Sequence, residues 1–163
     1  MMSCAGISQE IIDTQYRSII LTEDSVVELK VYLPKNYNPT KQERKYPTIY
    51  LFDAQYDFWF DTYCDNITTF NELGPEIPEI IVIGIKQKNR GRDFNLKNIE
   101  YGRFLYEELI PFIDSNFNTS SMRVISGFSM GGFFSIIQYF NNLKTFNACI
   151  VISPAMHNFE LFE

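Results

Sequence analysis

Gly127-Phe128-Ser129-Met130-Gly131-Gly132 is the stretch of this sequence that decides the fold. It follows an apolar segment at residues 122–126 that predicts a short strand, and it precedes a segment at residues 133–140 that predicts a helix. A strand that reverses into a helix within a few residues holds the residue at the reversal in a strained backbone conformation. In this setting the pattern G-x-S-x-G predicts that the Ser129 hydroxyl projects from the turn into a cleft.

Each residue of this turn has a physical reason to be there. The chain two residues before Ser129 passes close to the chain two residues after it, so side chains at Gly127 and Gly131 would collide. The N–H of Met130 lies in the first turn of the helix, where it and the positive helix end stabilise a negatively charged oxygen. A dinucleotide-binding turn would need glycine at the third position, which Ser129 occupies. We interpret the stretch as a nucleophile elbow, with a glycine-rich packing turn as the alternative.

Outward from the elbow, strands alternate with helices along the chain. The apolar patterns predict strands at 16–21, 26–33, 47–53, 80–85, 122–126 and 147–153, and helices at 57–73, 99–117 and 133–140. Pro111 is expected to kink the second helix or to mark two joined pieces. Residues 22–25 form a turn that joins the first two strands into a hairpin. The later strands are apolar throughout, as expected where helices cover both faces of a parallel sheet. We therefore predict a single α/β domain over residues 1–163, in which an antiparallel hairpin leads into a parallel sheet.

Composition and charge narrow the range of partners. The 163 residues include 14 basic and 20 acidic side chains, for a formal net charge of −6, and 45% are hydrophobic, which suits one globular domain. An acidic chain has no general attraction for phosphate backbones, so we expect no nucleic-acid partner. No apolar run approaches the roughly 20 residues that cross a bilayer, so we expect no membrane span.

The cysteines bear on metal binding and on compartment. Cys4, Cys64 and Cys149 show neither a CxxC pair nor the spacing of a metal site. We therefore expect reduced thiols, no metal, and a reducing compartment such as the cytoplasm. The alternative is a secreted or periplasmic protein whose leader has been removed, because the first six residues have neither a basic start nor an apolar stretch.

Several segments together resemble the esterase family of α/β hydrolases, which includes esterase D, enterochelin esterases and related feruloyl esterases. The similar segments are residues 46–53, 77–85, 89–93, 104–114, 127–132 and 153–156. Among them, Leu51-Phe52-Asp53 is similar to the family's Leu-Asp-Gly turn, and Ser153-Pro154-Ala155-Met156 to its Ser-Pro-Ser-Leu segment. The resemblance implies a three-layer α/β-hydrolase sandwich that lacks its last strands. It also implies a carboxylic ester hydrolase that acts on a small-molecule ester through an acyl-enzyme, without a cofactor.

The resemblance further implies roles for individual residues. Ser129 attacks the ester carbonyl, and the N–H of Met130 binds the negatively charged oxygen that develops. The second N–H donor maps to Gln55, in a turn where Ala54 replaces the family's glycine. The residues that map to the wall of a substrate pocket are Phe128, Tyr56 and His157.

This sequence does not clearly supply the residues that would activate Ser129. A serine hydroxyl needs a base to take its proton, and in this fold the order along the chain is serine, acid, histidine. The family places its acid and histidine on loops after two further strands, whereas this sequence has no aspartate after Ser129 and one histidine, His157. We therefore expect the N-terminal portion of an esterase, with little turnover on its own. The alternative base is His157, with Glu160 as its partner.

A hypothesis of a different class is a non-catalytic domain. Such a domain would bind an acyl or aryl ligand, or would form oligomers through the open edge of its parallel sheet. The downstream coding sequence distinguishes the two hypotheses. An extension with two more strands, an acidic loop residue and a histidine favours the esterase.

Three other features have structural interpretations that we favour over functional ones. Asp53 ends a strand beside the cleft, and we expect it to shape a turn instead of taking part in catalysis. We expect Arg90 and Arg92 to form an exposed ion-pair loop, with binding of an acidic substrate as the alternative. Aromatic residues at helical spacing are expected in the core, with an aryl-binding pocket as the alternative. These aromatic residues are Tyr56, Phe58, Trp59 and Phe60.

Overall fold

The structure, a computed structural model, describes residues 10–22, 25–74 and 77–156. Its strands are β1 (Glu10–Arg17), β2 (Val26–Leu33), β3 (Tyr46–Phe52), β4 (Ile81–Ile85), β5 (Thr119–Phe128) and β6 (Ala148–Ile152). Its helices are α1 (Asp57–Leu73), α2 (Arg90–Asp93), α3 (Ile99–Arg103), α4 (Ile110–Asn116) and α5 (Ser129–Asn141). A π-helical segment, Phe104–Leu109, joins α3 to α4.

The six strands form one sheet in the order β1-β2-β4-β3-β5-β6. β1 and β2 form an antiparallel hairpin, and β2 is also antiparallel to β4. The pairs β3–β4, β3–β5 and β5–β6 are parallel. The predicted α/β architecture, an antiparallel hairpin followed by a parallel sheet, is therefore confirmed. Because β3, β4, β5 and β6 run in one direction, the loops that follow them meet at one edge of the sheet.

Helices cover both faces of the sheet and give it three layers. On one face, Leu109 of the π-helical segment and Phe134 of α5 belong to a large buried cluster with side chains of β2, β3 and β4. On the other face, α1 packs Phe60 and Ile67 against Leu51 of β3. No helix within the described ranges is long and apolar enough to span a membrane.

The first strand lies earlier in the chain than its pattern predicted. The prediction placed it at residues 16–21, whereas β1 ends at Arg17. The following residues are held by Glu108 instead, since its carboxylate accepts hydrogen bonds from the Ser18 hydroxyl and from the N–H groups of Ile19 and Ile20. A contact with a side chain about 90 positions away leaves no periodic signal in the local sequence.

The long helix predicted at 99–117 is interrupted one turn before Pro111, not at it. The N–H of Ile110 donates to the carbonyl of Leu105, five residues earlier, which is the π-helical pattern. Pro111 has no N–H to donate to the carbonyl four residues before it. The wider π turn accommodates this missing donor, and regular α-helix continues from Ile110 to Asn116.

α1 spans the predicted residues 57–73, but its buried face is narrower than predicted. Phe60 is buried and Trp59 half-buried, whereas Tyr56 and Phe58 are exposed, so the prediction that all four lie in the core is wrong. Phe70, on the same helix, is 55% exposed. The reason is that Phe70 faces an open groove beside the edge strand β6.

The two described cysteines carry free thiols, and Cys4 lies outside the described residues. Cys64, a residue of α1, is buried, whereas Cys149 is half-buried on the edge strand β6. Burial raises the pKa of the Cys149 thiol to about 11 and raises the pKa of the Cys64 thiol further. Both side chains are therefore neutral thiols near neutral pH.

A test of the packing under α1 uses Gly84 in β4. A Cβ added at Gly84 would lie 2.5 Å from the ring of Phe60 and 2.7 Å from Cβ of Ala54. We expect Gly84→Ala to lower the free energy of unfolding by about 1–3 kcal/mol through overpacking, as measured by urea denaturation. Gly74→Ala is the matched control, because a Cβ at Gly74 meets nothing within 4 Å. Equal unfolding midpoints for the two variants would contradict this packing.

Candidate active site

The elbow lies where β5 meets α5. Phe128, the last residue of β5, has an extended backbone, and Ser129, the first residue of α5, has a φ of 52°. A serine in this left-handed region is strained by about 1–3 kcal/mol, so the surrounding structure must hold it there. Ser129 is half-buried, and within the described ranges no residue forms a hydrogen bond with its Oγ. The hydroxyl is therefore uncommitted at the surface of the turn.

The two elbow glycines are required for space and not for backbone freedom, since neither has a positive φ. A Cβ on Gly127 would lie 2.6 Å from the carbonyl carbon of Gly131. A Cβ on Gly131 would lie 2.6 Å from Oδ2 of Asp53 and 3.4 Å from the ring of Phe94. The predicted collision between the two sides of the turn therefore occurs at Gly127. Gly131 instead makes room for a neighbouring carboxylate.

The chain that follows β6 packs against the elbow. Ser153 turns the chain with a φ of 44°, and the N–H of Ala155 donates to the carbonyl of Ser129 at 2.9 Å. This contact holds the strained residue from the side of β6. His157 and Glu160 come shortly afterwards in the chain, but both lie outside the described residues. The structure therefore gives no position for either candidate partner of Ser129.

The predicted second N–H donor, Gln55, lies in the turn between β3 and α1. Two hydrogen bonds fix the backbone on either side of it, because the N–H of Ala54 donates to Ile85 O at 3.1 Å and the N–H of Tyr56 donates to Asp53 O at 3.1 Å. In the part of the chain that the structure describes, no acceptor is paired with the Gln55 N–H itself. This turn is therefore rigid and presents one unpaired donor.

The Gln55 turn adjoins the elbow. The ring of Tyr56, the residue after Gln55, lies 6.1 Å from the ring of Phe128, the residue before Ser129, measured between centroids. The N–H of Met130, in the first turn of α5, has no acceptor within the helix. The structure thus brings together, at the carboxyl edge of the sheet, two turns whose Gln55 and Met130 N–H groups have no acceptor among the described residues.

Side chains of the Gln55 turn form a closed ring of hydrogen bonds with Gln87. The Gln55 amide nitrogen donates to Oδ1 of Asp53 at 3.0 Å, the Asp53 N–H donates to Oε1 of Gln87 at 2.6 Å, and the Gln87 N–H donates to Oε1 of Gln55 at 2.9 Å. Gln87 also donates to the hydroxyl of buried Tyr101 at 2.9 Å. No sequence signal points to Gln87, because a single glutamine in a charged loop carries no motif.

Asp53 is the most buried charged group at this edge. It is 0% exposed, and its φ of 66° directs the chain into the turn. Arg90 binds both of its oxygens, with Nε 2.6 Å from Oδ1 and Nη2 3.1 Å from Oδ2. This hydrogen-bonded contact raises the pKa of Arg90, so the guanidinium is charged.

The expectation of an exposed ion-pair loop is wrong for Arg90 and Arg92, because the two side chains are only 27% and 29% exposed and their carboxylate partners are buried. The segment predicted as an open loop contains α2, which Asn89 caps by accepting a hydrogen bond from the Arg92 N–H at 3.1 Å. Arg92 pairs within α2, with Nη2 2.7 Å from Oδ1 of Asp93. The helix directs Arg90 towards the Gln55 turn, an orientation that no local sequence pattern predicts.

An aromatic cluster surrounds Phe128. The ring of Trp59 lies 4.9 Å from the ring of Phe128, and its indole N–H donates to Phe52 O at 3.1 Å. The guanidinium carbon of Arg90 lies 5.7 Å from the Phe128 ring. Of the three predicted pocket residues, the structure brings Phe128 and Tyr56 together and leaves His157 undescribed.

An apolar groove of about 390 Å³ lies on the α1 face of the sheet. Its lining includes Trp59, Tyr63, Phe70, Ile150 and Ile152, but not Ser129. The groove and the elbow therefore share the Trp59 region but are different sites. Across the described ranges, no group of three His, Cys, Asp or Glu side chains is placed to hold a metal ion.

A strand, a strained serine and a helix at the carboxyl edge of a mostly parallel sheet define an α/β-hydrolase type of fold. A family model described as "Putative esterase" matches residues 23–159. Because this match covers most of the chain, the chain belongs to that esterase family. The resemblance noted in the sequence is therefore confirmed.

Solved structures of other proteins have the same fold. An IroE-like serine hydrolase from Shewanella oneidensis is 23% identical, with a TM-score of 0.75, over 93% of this chain and 54% of that chain. The BES protein from Bacillus cereus is 21% identical, with a TM-score of 0.77, over 93% of this chain and 64% of that chain. An enterochelin esterase from Shigella flexneri is 15% identical, with a TM-score of 0.72, over 89% of this chain and 36% of that chain.

The chain thus spans between about a third and two thirds of the length of these three proteins. At these identities the likeness shows the fold alone. A comparison with curated proteins finds no significant match.

Proposed function

We propose that this chain carries the nucleophile and the oxyanion-binding turns of a serine-type carboxylic ester hydrolase. The observation that supports this most strongly is the backbone of Ser129, a non-glycine residue with a φ of 52° between β5 and α5. Strain of this kind persists only where the surrounding structure holds it, and it is concentrated at active sites. The uncommitted Ser129 hydroxyl and the esterase family of the chain favour acyl transfer over other chemistries.

The reaction would follow an acyl-enzyme route. The Ser129 oxygen attacks the ester carbonyl carbon and loses its proton to a base, and the carbonyl oxygen becomes negative. The N–H groups of Met130 and Gln55 stabilise that oxygen, and donors of this type are worth about 2.7–4 kcal/mol each. Collapse of the intermediate expels the alcohol and leaves the acyl group on Ser129. Water then attacks the acyl carbon, releases the carboxylic acid and restores the hydroxyl.

The base and its acidic partner are part of the proposal. We place both in residues outside these 163, which is supported by the absence of aspartate after Ser129 and by the length of the solved structures relative to this chain. The alternative is that His157 is the base, with Glu160 as its partner. The two versions differ in how fast this chain alone turns over an ester.

A second candidate function is a non-catalytic binding or oligomerising domain. The observation that favours it is the edge strand β6, where Ile150 and Ile152 are each 44% exposed beside the apolar groove. An open strand edge with exposed apolar side chains is a pairing surface. If this candidate is correct, Ser129→Ala should leave ligand binding and oligomerisation unchanged.

Acylation of Ser129 tests the proposal. Incubation with p-nitrophenyl acetate, followed by intact-mass measurement and peptide mapping, is expected to show one acetyl group per chain on Ser129. We expect turnover to be slow, since loss of the histidine base from a catalytic triad lowers kcat by about 10⁶-fold. Both acylation and deacylation lose the base, but p-nitrophenolate is a far better leaving group than the serine alkoxide. The acetyl adduct should therefore form faster than water removes it and should accumulate during a long incubation.

Two matched variants accompany this measurement. Ser129→Ala should remove the adduct, whereas Ser153→Ala should keep it, although Ser153 is more exposed than Ser129 and likewise has a positive φ. Labelling that survives in Ser129→Ala would overturn the proposal. Rapid turnover that disappears in His157→Ala would instead make His157 the base.

A further inference from the structure

A buried carboxylate lies against the first turn of α5. Oδ2 of Asp53 is so close to Gly131, the third residue of α5, that a Cβ there would stand 2.6 Å from it. The N-terminal end of a helix carries a partial positive charge, so a carboxylate at this position stabilises the helix. The same helix end contains the Met130 N–H.

This placement creates an electrostatic conflict. A tetrahedral adduct on Ser129 would carry its negative oxygen towards the Met130 N–H, at the same helix end as Asp53. Because Asp53 is 0% exposed, water does not screen its charge effectively. An uncompensated Asp53 carboxylate would therefore oppose the negative charge that the site has to bind.

Arg90 resolves the conflict. Its Nε and Nη2 atoms bind Oδ1 and Oδ2 of Asp53 at 2.6 and 3.1 Å, so one guanidinium faces the whole carboxylate. The rings of Tyr56, Phe94 and Phe128 lie 5.7–5.9 Å from the guanidinium carbon and fix its position. The positive charge is thus held beside the carboxylate and beside the residue that precedes Ser129.

Asp53 itself has a separate reason to be present. Its carboxylate accepts a hydrogen bond from the Gln55 side chain at 3.0 Å, within the ring that also includes Gln87. It therefore braces the turn that presents the Gln55 N–H. The turn requires the acceptor oxygen of Asp53, whereas the helix end requires that the negative charge of Asp53 be cancelled.

We propose that Arg90 is a positioning residue that cancels the charge of Asp53, so that the first turn of α5 stays available to the negative tetrahedral adduct of Ser129. This inference rests on the proposed function of Ser129. It predicts that the Arg90 charge matters for binding an anionic adduct, beyond any effect on stability. It also predicts that removing both charges is less harmful than removing the positive one alone.

Binding of phenylboronic acid tests this without requiring turnover. The Ser129 oxygen would form a bond to boron and release its proton to solvent, and boron would become a four-coordinate anion. The dissociation constant can be followed by ¹¹B NMR and by the fluorescence of Trp59, the one tryptophan in the chain. Thermal melting of each variant reports stability separately.

Four variants give the expected pattern. Arg90→Met should weaken boronate binding by about 10- to 100-fold, as expected for a buried unit charge left near an anion. The double variant Asp53→Asn/Arg90→Met should recover to within about fivefold of the parent, because the opposing charge is gone. Arg90→Lys, which keeps the charge, should also stay within about fivefold. Arg103→Met is the control, because Arg103 and its partner Glu107 are each about half exposed, and it should change binding less than about twofold.

The outcomes separate the two proposals. Parent protein that binds boronate no better than Ser129→Ala would overturn the proposed nucleophile, and this inference with it. Binding by the parent that is unchanged in Arg90→Met, or weakened equally in the double variant and in Arg90→Met, would overturn the role of Arg90 alone. If Arg90→Met does not fold, Arg90→Gln takes its place: the proposal requires weaker boronate binding by Arg90→Gln than by Arg90→Lys, and equal binding by these two variants would overturn the role of Arg90.

Discussion

Replacement of Gly127 by alanine is expected to lower the free energy of unfolding by about 3 kcal/mol and to remove acylation of Ser129. The added Cβ would lie 2.6 Å from both the carbonyl carbon and the carbonyl oxygen of Gly131 and 2.9 Å from the nitrogen of Gly132. These are backbone atoms in the first turn of α5, so no side-chain rotation relieves the contact. Either the helix start moves away from β5 or the strained conformation of Ser129 is lost.

Urea denaturation and the acylation measurement together check this result. Gly91→Ala is the matched control, because the nearest atom to a Cβ at Gly91 is Oδ1 of Asn89 at 3.7 Å. We expect that control to stay within about 0.5 kcal/mol of the parent and to keep the adduct. A Gly127→Ala protein with the parent midpoint and a normal adduct would show that the strand and helix do not approach each other as closely as described.

The parts of the fold that the sequence predicted well are those where one local pattern determines one element. α1 has its predicted bounds at 57–73, and β2 has its predicted bounds at 26–33. The elbow is a similar case. The spacing of Gly127, Ser129 and Gly131 indicates a tight turn within five residues, in which the two glycines leave room for the close approach of the chain. For these elements the local preference and the final packing agree.

The parts that the sequence predicted poorly depend on partners far away in the chain. β1 ends at Arg17 because Glu108 binds the residues that follow it. The prediction that Arg90 lies in an exposed loop failed because its partner, Asp53, lies 37 positions earlier in the chain. Neither contact has a periodicity or a motif, so only the assembled structure reveals it.

The candidate site likewise combines residues that a sequence pattern predicts with supports that come from distant parts of the chain. Ser129 and Met130 belong to the elbow that the local pattern predicts, and Gln55 is assigned by the resemblance to the esterase family. The supports of these two turns are not predicted in this way, because Gln87 and the Ser129–Ala155 hydrogen bond come from loops after other strands. A sequence pattern therefore indicates which residues meet at the sheet edge but not what holds them there.

Replacement of Phe134 by alanine is expected to lower the free energy of unfolding by about 3–5 kcal/mol, the usual cost of deleting a buried aromatic ring. Phe134 is 1% exposed, and its ring lies 5.2 Å from that of Phe94, 5.3 Å from that of Phe52 and 5.7 Å from that of Tyr101. This cluster joins α5 to the end of β3 and to the residue that follows α2. A cavity there separates the elbow helix from the segments that carry Asp53 and Arg90.

Phe140→Ala is the matched control, since Phe140 is on the same helix but 67% exposed, and we expect it to change stability by less than about 0.5 kcal/mol. Circular dichroism during urea denaturation measures both variants. Equal destabilisation by the two would show that α5 is not held by this cluster. The expected difference matters for the site, because Phe94 also lies 3.4 Å from where a Cβ on Gly131 would stand. The same aromatic cluster that stabilises the domain therefore sets the distance between the elbow helix and the buried carboxylate, so a loss of packing at Phe134 should weaken boronate binding even where the protein remains folded.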